Sequence, residues 1–259
     1  MLADYSDIDL VAFVNPPDLE PISEYRLPED YQNQLKTVIE DLKDSLCELP
    51  SVTINRTDAF LVNFDVQVGT RTVSVDLLPT ANNDHSDVYS EMMNQTLSHR
   101  ERGFYSASFV KKQMDFVSKQ PNIVKDLIRM VKYWAYTCLP KRLQKSYPLE
   151  LITIYCWEKA GKPERFKLVE GLKAVLLVLG RQRWKRRKFW PDYYSKDMAL
   201  HAIKTLDMKW PVMLDPANPT NNVLYVYQQG DNMKELQNAA RKTLQTRLLR
   251  DARVRSRWK

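Results

Sequence analysis

The stretch Ser6-Asp7-Ile8-Asp9-Leu10-Val11-Ala12-Phe13-Val14, "SDIDLVAFV", sets two acids directly before an apolar run, close behind Met1. The apolar residues from 8 to 14 have the length and composition of a buried strand. Side chains alternate along a strand, so Asp7 and Asp9 share one face. Two carboxylates on one face repel unless a cation stands between them. Mg²⁺ suits that position, because it takes oxygen ligands, usually one or two carboxylates together with substrate phosphates. An Asp-x-Asp also occurs as a solvated turn or a helix cap, so a second feature has to decide.

That feature is "TVSVDLLP" (Thr72–Pro79), a second alternating run, which carries Asp76 near its end. If it pairs beside residues 8–14, its carboxylate joins the other two. Three acids on neighbouring strands suffice for two Mg²⁺ ions about 4 Å apart, the arrangement that serves in-line displacement at phosphorus.

Around these runs the sequence reads as sheet first and helix afterwards. Residues 15–27 are a Pro-rich loop. From Pro28 to Leu49 the apolar positions Tyr31, Leu35, Val38, Ile39, Leu42 and Leu46 keep helical spacing. Ser51–Asn55 suits a short strand. Phe60–Val68 and Thr72–Leu78 alternate on either side of Gly69-Thr70, which looks like a hairpin turn. Helices are expected at about 107–119, 122–139, 148–160, 165–181, 197–208 and 231–250. The loop "DPANPTNN" (Asp215–Asn222) separates the last two. The expected class is α+β: a sheet lobe over residues 1–110, then a helical lobe over residues 111–259 with a disordered tail past residue 250. A cleft between two lobes is a common place for an active site.

Composition narrows the partners. Residues 1–80 hold 15 Asp/Glu and 5 Lys/Arg, which leaves 34 basic and 17 acidic residues of the chain totals of 39 and 32. An acidic part followed by a strongly basic one points to a polyanion. No apolar run reaches the roughly 18 residues a membrane span needs. No secretory leader is visible, and Cys47, Cys138 and Cys156 lack metal-ligand spacing. A cytoplasmic, or nuclear, protein with reduced thiols is therefore expected.

Five segments in order, "SDIDLVAFV", "VSVDLLPT", "LIRMVKYW", "YPLELITIYCWE" and "LDPANPTNNV", closely resemble the 2′-5′-oligoadenylate synthetase family of the polymerase-β-like nucleotidyltransferases. The resemblance runs from Ser6 to about residue 245. It implies that Asp7, Asp9 and Asp76 are catalytic, metal-binding aspartates. It implies that Arg129 and Lys132 contact ATP phosphates, and their i,i+3 spacing does put both on one helix face. Tyr147 matches a tyrosine at the nucleotide site, with Ser146 where the family has a nucleotide-contacting Gln. Glu150 and Trp157 share the motif, and Trp157 reads as core. The implied reaction is template-free. A 2′-hydroxyl attacks the α-phosphate of ATP and expels pyrophosphate, with Asp76 best placed to help the hydroxyl lose its proton. The resemblance further implies activation by double-stranded RNA in antiviral innate immunity.

The sequence departs from the family in two places. The family has a Gly-Ser turn about a dozen residues before the Asp-x-Asp, whose amides and hydroxyl cradle phosphate. It also has an N-terminal helix that helps to bind RNA. Met1 lies six residues before Asp7, so neither is in this sequence, and the expectation is a truncated active member or a divergent one. In "KQMDFVSKQPN", Met114 and Ser118 stand where RNA-facing basic residues are expected, with Lys111, Lys112 and Lys119 nearby as substitutes. "RQRWKRRKFW" adds Arg181, Arg183, Lys185, Arg186, Arg187 and Lys188, interleaved with Trp184 and followed by Trp190, a composition that suits a nucleic-acid surface or a solvated helix end. The alternatives are a catalytically degenerate RNA-binding module and a related cyclic dinucleotide synthase. No Cys/His zinc insertion of the kind common in that last branch is present, and no motif assigns an oligomeric state.

Overall fold

The computed structural model describes residues 8–94, 97–181 and 187–254. The chain divides into two compact units, Met1–Lys112 and Gln113–Lys259. The class is α+β, as expected.

The first unit is built on four strands: β1 (Ile8–Phe13), β2 (Val52–Thr57), β3 (Val62–Val68) and β4 (Arg71–Thr80), in the order β1-β4-β3-β2. β1 runs parallel to β4, while β4–β3 and β3–β2 are antiparallel. Gly69 opens the β3–β4 turn at φ 59°, a left-handed conformation that costs glycine little and a side-chain-bearing residue more. Between the strands in sequence lies α1 (Pro28–Cys47), with proline at its first position, where a missing N–H costs nothing. α1 buries Tyr31, Leu35, Val38 and Ile39, and the sheet buries Val62, Phe64 and Val75. These alternate residues leave Asn63, Asp65, Ser74 and Asp76 to the other face.

Two short helices, α2 (Val88–Met92) and α3 (His99–Ser106), were not expected. α3 starts with a capping box. Ser98 Oγ accepts from Glu101 N at 3.1 Å, and Glu101 Oε2 accepts from Ser98 N at 2.6 Å. Where one helix was expected over about 107–119, a 3₁₀ turn at Ala107–Phe109 leads into α4 (Val110–Ser118).

The second unit is helical. α5 (Asn122–Cys138) buries Val124, Leu127, Ile128, Val131, Trp134 and Ala135 along one stripe. α6 (Ser146–Lys159) is covered nearly all round and includes Trp157, 8% exposed, as core. α7 (Leu168–Leu179) and α8 (Lys196–Thr205) follow. The expected helix over 231–250 is two, α9 (Asn232–Leu244) and α10 (Arg247–Arg250). Thr246 breaks it by taking an extended backbone and donating its hydroxyl to the Thr243 carbonyl at 2.7 Å. Just past residue 250, Lys173 Nζ donates to the carbonyls of Arg250 at 3.2 Å and Ala252 at 2.7 Å. Residues 255–259 of that tail lie outside the described residues. No helix among the described residues is long and apolar enough to cross a membrane.

Candidate functional site

In the first unit the carboxylates gather at the β1 side of the sheet. The register sets Asp9 directly beside Asp76 on the parallel neighbour, and Asn63 opposite Asp76 on the antiparallel one. Residues paired in register project to the same face, so Asp9, Asp76 and Asn63 form a row across three strands. Asp7 lies outside the described residues. Asn63 Nδ2 donates to Asp76 Oδ1 at 2.7 Å, and to Val75 O and Ser74 Oγ, each at 3.3 Å. Among the described residues no three His, Cys, Asp or Glu side chains form a group able to hold a metal ion.

Two adjacent carboxylates fit a hard divalent cation. They supply oxygen donors only, and their mutual repulsion is relieved by positive charge. Asn63 itself was missed in the sequence, although a signal for it was present. Counting outward from a two-residue turn at Gly69-Thr70 pairs Asn63 with Asp76.

In the second unit, Arg129 and Lys132 lie on α5. Arg129 is exposed and pairs with Asp126 one turn earlier. Lys132 Nζ is 3.0 Å from Glu150 Oε1 of α6, with the two side chains 37% and 16% exposed. Ser146 begins α6 and is exposed. Tyr147 donates its hydroxyl to Asp215 Oδ1 at 2.7 Å. Asp215 has no exposed surface, and burial raises its pKa against the pull of its donors. Those donors include Gln113 Nε2 at 2.8 Å, Ala217 N at 2.8 Å and Asn221 Nδ2 at 3.3 Å.

The segment "DPANPTNN" is thus an internal polar knot rather than a surface loop. Asn218 Oδ1 accepts from Thr220 N and Oγ1, and Asn222 Oδ1 accepts from Met213 N and Leu224 N. Each buried polar group closed this way avoids a desolvation cost of about 1–3 kcal/mol.

The basic candidates differ among themselves. Lys111 and Lys119 are exposed. Lys112 Nζ is bonded to Asp84 Oδ1 at 2.6 Å and lies over the Phe109 ring. Arg181 is exposed, and exposed Arg187 stands 5.2 Å from the centre of the Trp210 ring. Arg183, Lys185 and Arg186 lie outside the described residues. Lys188 is not presented as a surface cation. It is 3.0 Å from Glu158 Oε2, stands 4.3 Å from the centre of the Trp190 ring, and is 20% exposed.

Comparison with known proteins adds a family match, several relatives and a solved structure of similar fold. A family model described as 2′-5′-oligoadenylate synthetase 1, domain 2, C-terminus matches residues 82–259, which begin just after Asp76. The chain is 29% identical over 257 residues to 2′-5′-oligoadenylate synthase 1A of Rattus norvegicus, covering 87% of this chain and 68% of that protein. It is 29% identical over 251 residues to 2′-5′-oligoadenylate synthase 1A of Mus musculus, covering 84% and 64%. It is 31% identical over 141 residues to the Inactive 2′-5′-oligoadenylate synthase 1B of Rattus norvegicus, covering 52% and 37%. The chain therefore spans about two thirds of the relatives that it matches along most of its own length. A solved structure, the E. coli MS115-1 CdnC:HORMA-deltaN complex, superposes with a TM-score of 0.54 at 19% identity, covering 91% of this chain and 68% of that one. The fold is the polymerase-β-like nucleotidyltransferase fold.

Proposed function

This chain belongs to the 2′-5′-oligoadenylate synthetase family, and on that premise we propose that it joins ATP into 2′-5′-linked oligoadenylates without a template. The observation that carries the reading is the in-register pairing of Asp9 with Asp76. In this reading Asp9 and Asp76, together with Asp7 as the family resemblance implies, hold Mg²⁺. Bound Mg²⁺ lowers the pKa of an attacking hydroxyl and neutralises charge on the triphosphate. Asp76 accepts the 2′-hydroxyl proton. Arg129 and Lys132 hold the donor phosphates in line, as a bidentate and a point-charge partner respectively. Releasing Arg129 from Asp126 costs little, because an exposed pair contributes on the order of 0–1 kcal/mol. Freeing Lys132 from half-buried Glu150 costs more, so Lys132 suits a phosphate that approaches without displacing that pair. Tyr147 keeps its hydroxyl on Asp215 and offers the nucleotide its ring.

Double-stranded RNA is the proposed activator. Its contacts come from Lys111, Lys119, Arg181, Arg187 and the basic residues between the last two, and the protein works in the cytoplasm in antiviral innate immunity. The test is the chain with ATP and Mg²⁺, with and without duplex RNA, scored for oligomers that resist a 3′-5′-specific nuclease. RNA-dependent product that disappears in Asp76→Ala supports the reading. Product that survives Asp76→Ala overturns it.

A second reading has one specific support, the match to relatives named inactive. In it the chain binds RNA without turning over ATP. The same assay separates the two when RNA binding is measured in parallel.

A further inference from the structure

We infer that Asn63 is a positioning residue: its side-chain amide fixes the Asp76 carboxylate in the orientation in which it binds a divalent cation. The inference rests on the proposed metal-binding role of Asp76 and concerns a residue outside the implied metal-binding set.

Three observations carry it. First, Asn63 is the register partner of Asp76, so the short reach between them is set by the β3–β4 ladder rather than by chance rotamers. Second, Asn63 Nδ2 lies 2.7 Å from Asp76 Oδ1, a short bond of the kind an amide makes to a charged acceptor. Third, the same nitrogen is 3.3 Å from both Val75 O and Ser74 Oγ. The carbonyl accepts only and the carboxylate is an acceptor, so the amide must present its NH₂ here and not its oxygen. One hydrogen goes to Asp76 and the other is shared between Ser74 and Val75. Both partners are half-buried, where such a bond is screened less than it would be in water.

The consequence is directional. With Oδ1 occupied by the amide, no hydrogen bond from a described residue engages Oδ2. Asn63 therefore separates the two oxygens into one held by the protein and one offered to a cation. It does so without adding a charge that would compete with the metal. An aspartate opposite Asp76 would add repulsion, and an apolar side chain would leave the carboxylate free to rotate. Partners that orient a metal-binding side chain this way typically change metal affinity or activity by about 10–100-fold when removed.

The experiment measures Mn²⁺ binding by electron paramagnetic resonance on the chain itself, with no ATP present. Asn63→Leu keeps the side-chain size and removes the donor; Asn63→Ser restores a short donor. The expected result is binding by the wild type, none by Asp76→Ala, and a roughly tenfold or greater loss in Asn63→Leu. Asn63→Ser is expected to recover part of that affinity, with circular dichroism and Tm near wild type throughout. Equal Mn²⁺ affinity in Asn63→Leu and wild type overturns the inference. So does a wild type that binds no Mn²⁺, and so does a loss in Asn63→Leu that Asn63→Ser does not relieve at all. Because the readout needs no turnover, a chain that makes no oligoadenylate still tests Asn63. If turnover is observed, Asn63→Leu is expected to lower kcat and raise the Mg²⁺ requirement while leaving the KM for ATP near wild type.

Discussion

The Tyr147 hydroxyl donates a 2.7 Å hydrogen bond to Oδ1 of Asp215, a carboxylate with no exposed surface. Burial first, and the Asp215 charge second, push the Tyr147 pKa above its ordinary value of 10.0. Stability tied to the neutral phenol is therefore complete below pH 10 and drains away as the pH rises beyond it. Tyr147→Phe leaves Asp215 short of a donor and is expected to cost about 1–2 kcal/mol at neutral pH. It is also expected to flatten the alkaline fall in stability by up to about 1.4 kcal/mol per pH unit. Urea titrations from pH 7 to pH 11 check this; parallel curves for the two proteins would refute it.

Lys132 and Arg129 should separate cleanly on stability. Lys132→Ala strands half-buried Glu150 and is expected to lower stability by about 1–3 kcal/mol. Arg129→Ala breaks only an exposed pair and should stay within about 0.5 kcal/mol of wild type. Both should raise the KM for ATP. Thermal melts together with ATP titrations measure the two effects.

Much of this arrangement was legible in the sequence, for identifiable reasons. The β3–β4 hairpin, α1 and α5 follow from clean period-2 and period-3.6 patterns. β1 beside β4 follows from two apolar runs that each carry an acid. α3 was missed because its residues, "HRERGFYS", hold no apolar stripe, although Ser98 and Glu101 announced its start three residues apart. The burial of "DPANPTNN" was hidden for another reason. Pro, Asn and Asp are ordinary surface-turn residues, and beside the local donors Ala217 and Asn221, Asp215 is held inside the protein by partners distant in sequence, Gln113 and Tyr147. Lys188 looked like one cation among six, because nothing local distinguishes it from Arg187. Glu158 and the Trp190 ring do so only in three dimensions.

That difference between neighbours is measurable. Lys188→Ala removes an ion pair and a cation–π contact from a largely covered site, and is expected to cost about 2 kcal/mol of stability with RNA affinity unchanged. Arg187→Glu is expected to leave stability within about 0.5 kcal/mol of wild type. It should also weaken RNA binding and reduce the salt slope by about one ion or more. Fluorescence anisotropy across a salt series, with melts alongside, tests both; an unchanged slope in Arg187→Glu would remove that residue from the RNA surface.

The thiols offer a simple check of the second unit's packing. Cys47 and Cys138 are exposed, whereas Cys156 is buried and its pKa is pushed up to about 12. A thiol reagent at pH 8 should label Cys47 and Cys138 rapidly in the native protein and reach Cys156 only on unfolding, because the thiolate is the reacting form. Rapid native labelling of Cys156 would contradict the packing of α6.

If Asp9 and Asp76 hold a cation as proposed, their pairing also makes the acid pair a proofreader of strand alignment. A slip of β1 by one residue would turn Asp9 to the opposite face and leave Ile8 or Leu10 beside Asp76. Only the correctly aligned sheet presents both carboxylates together, so a cation that needs both binds that alignment and no other. At a hundred times its dissociation constant such an ion would favour the native register by about 2.7 kcal/mol. Among the described residues this edge strand has β4 as its one strand neighbour, and it carries Ile8, Leu10 and Phe13 half-exposed. In that position the ion would act as a clasp, adding a side-chain link to the backbone ladder that joins β1 to β4.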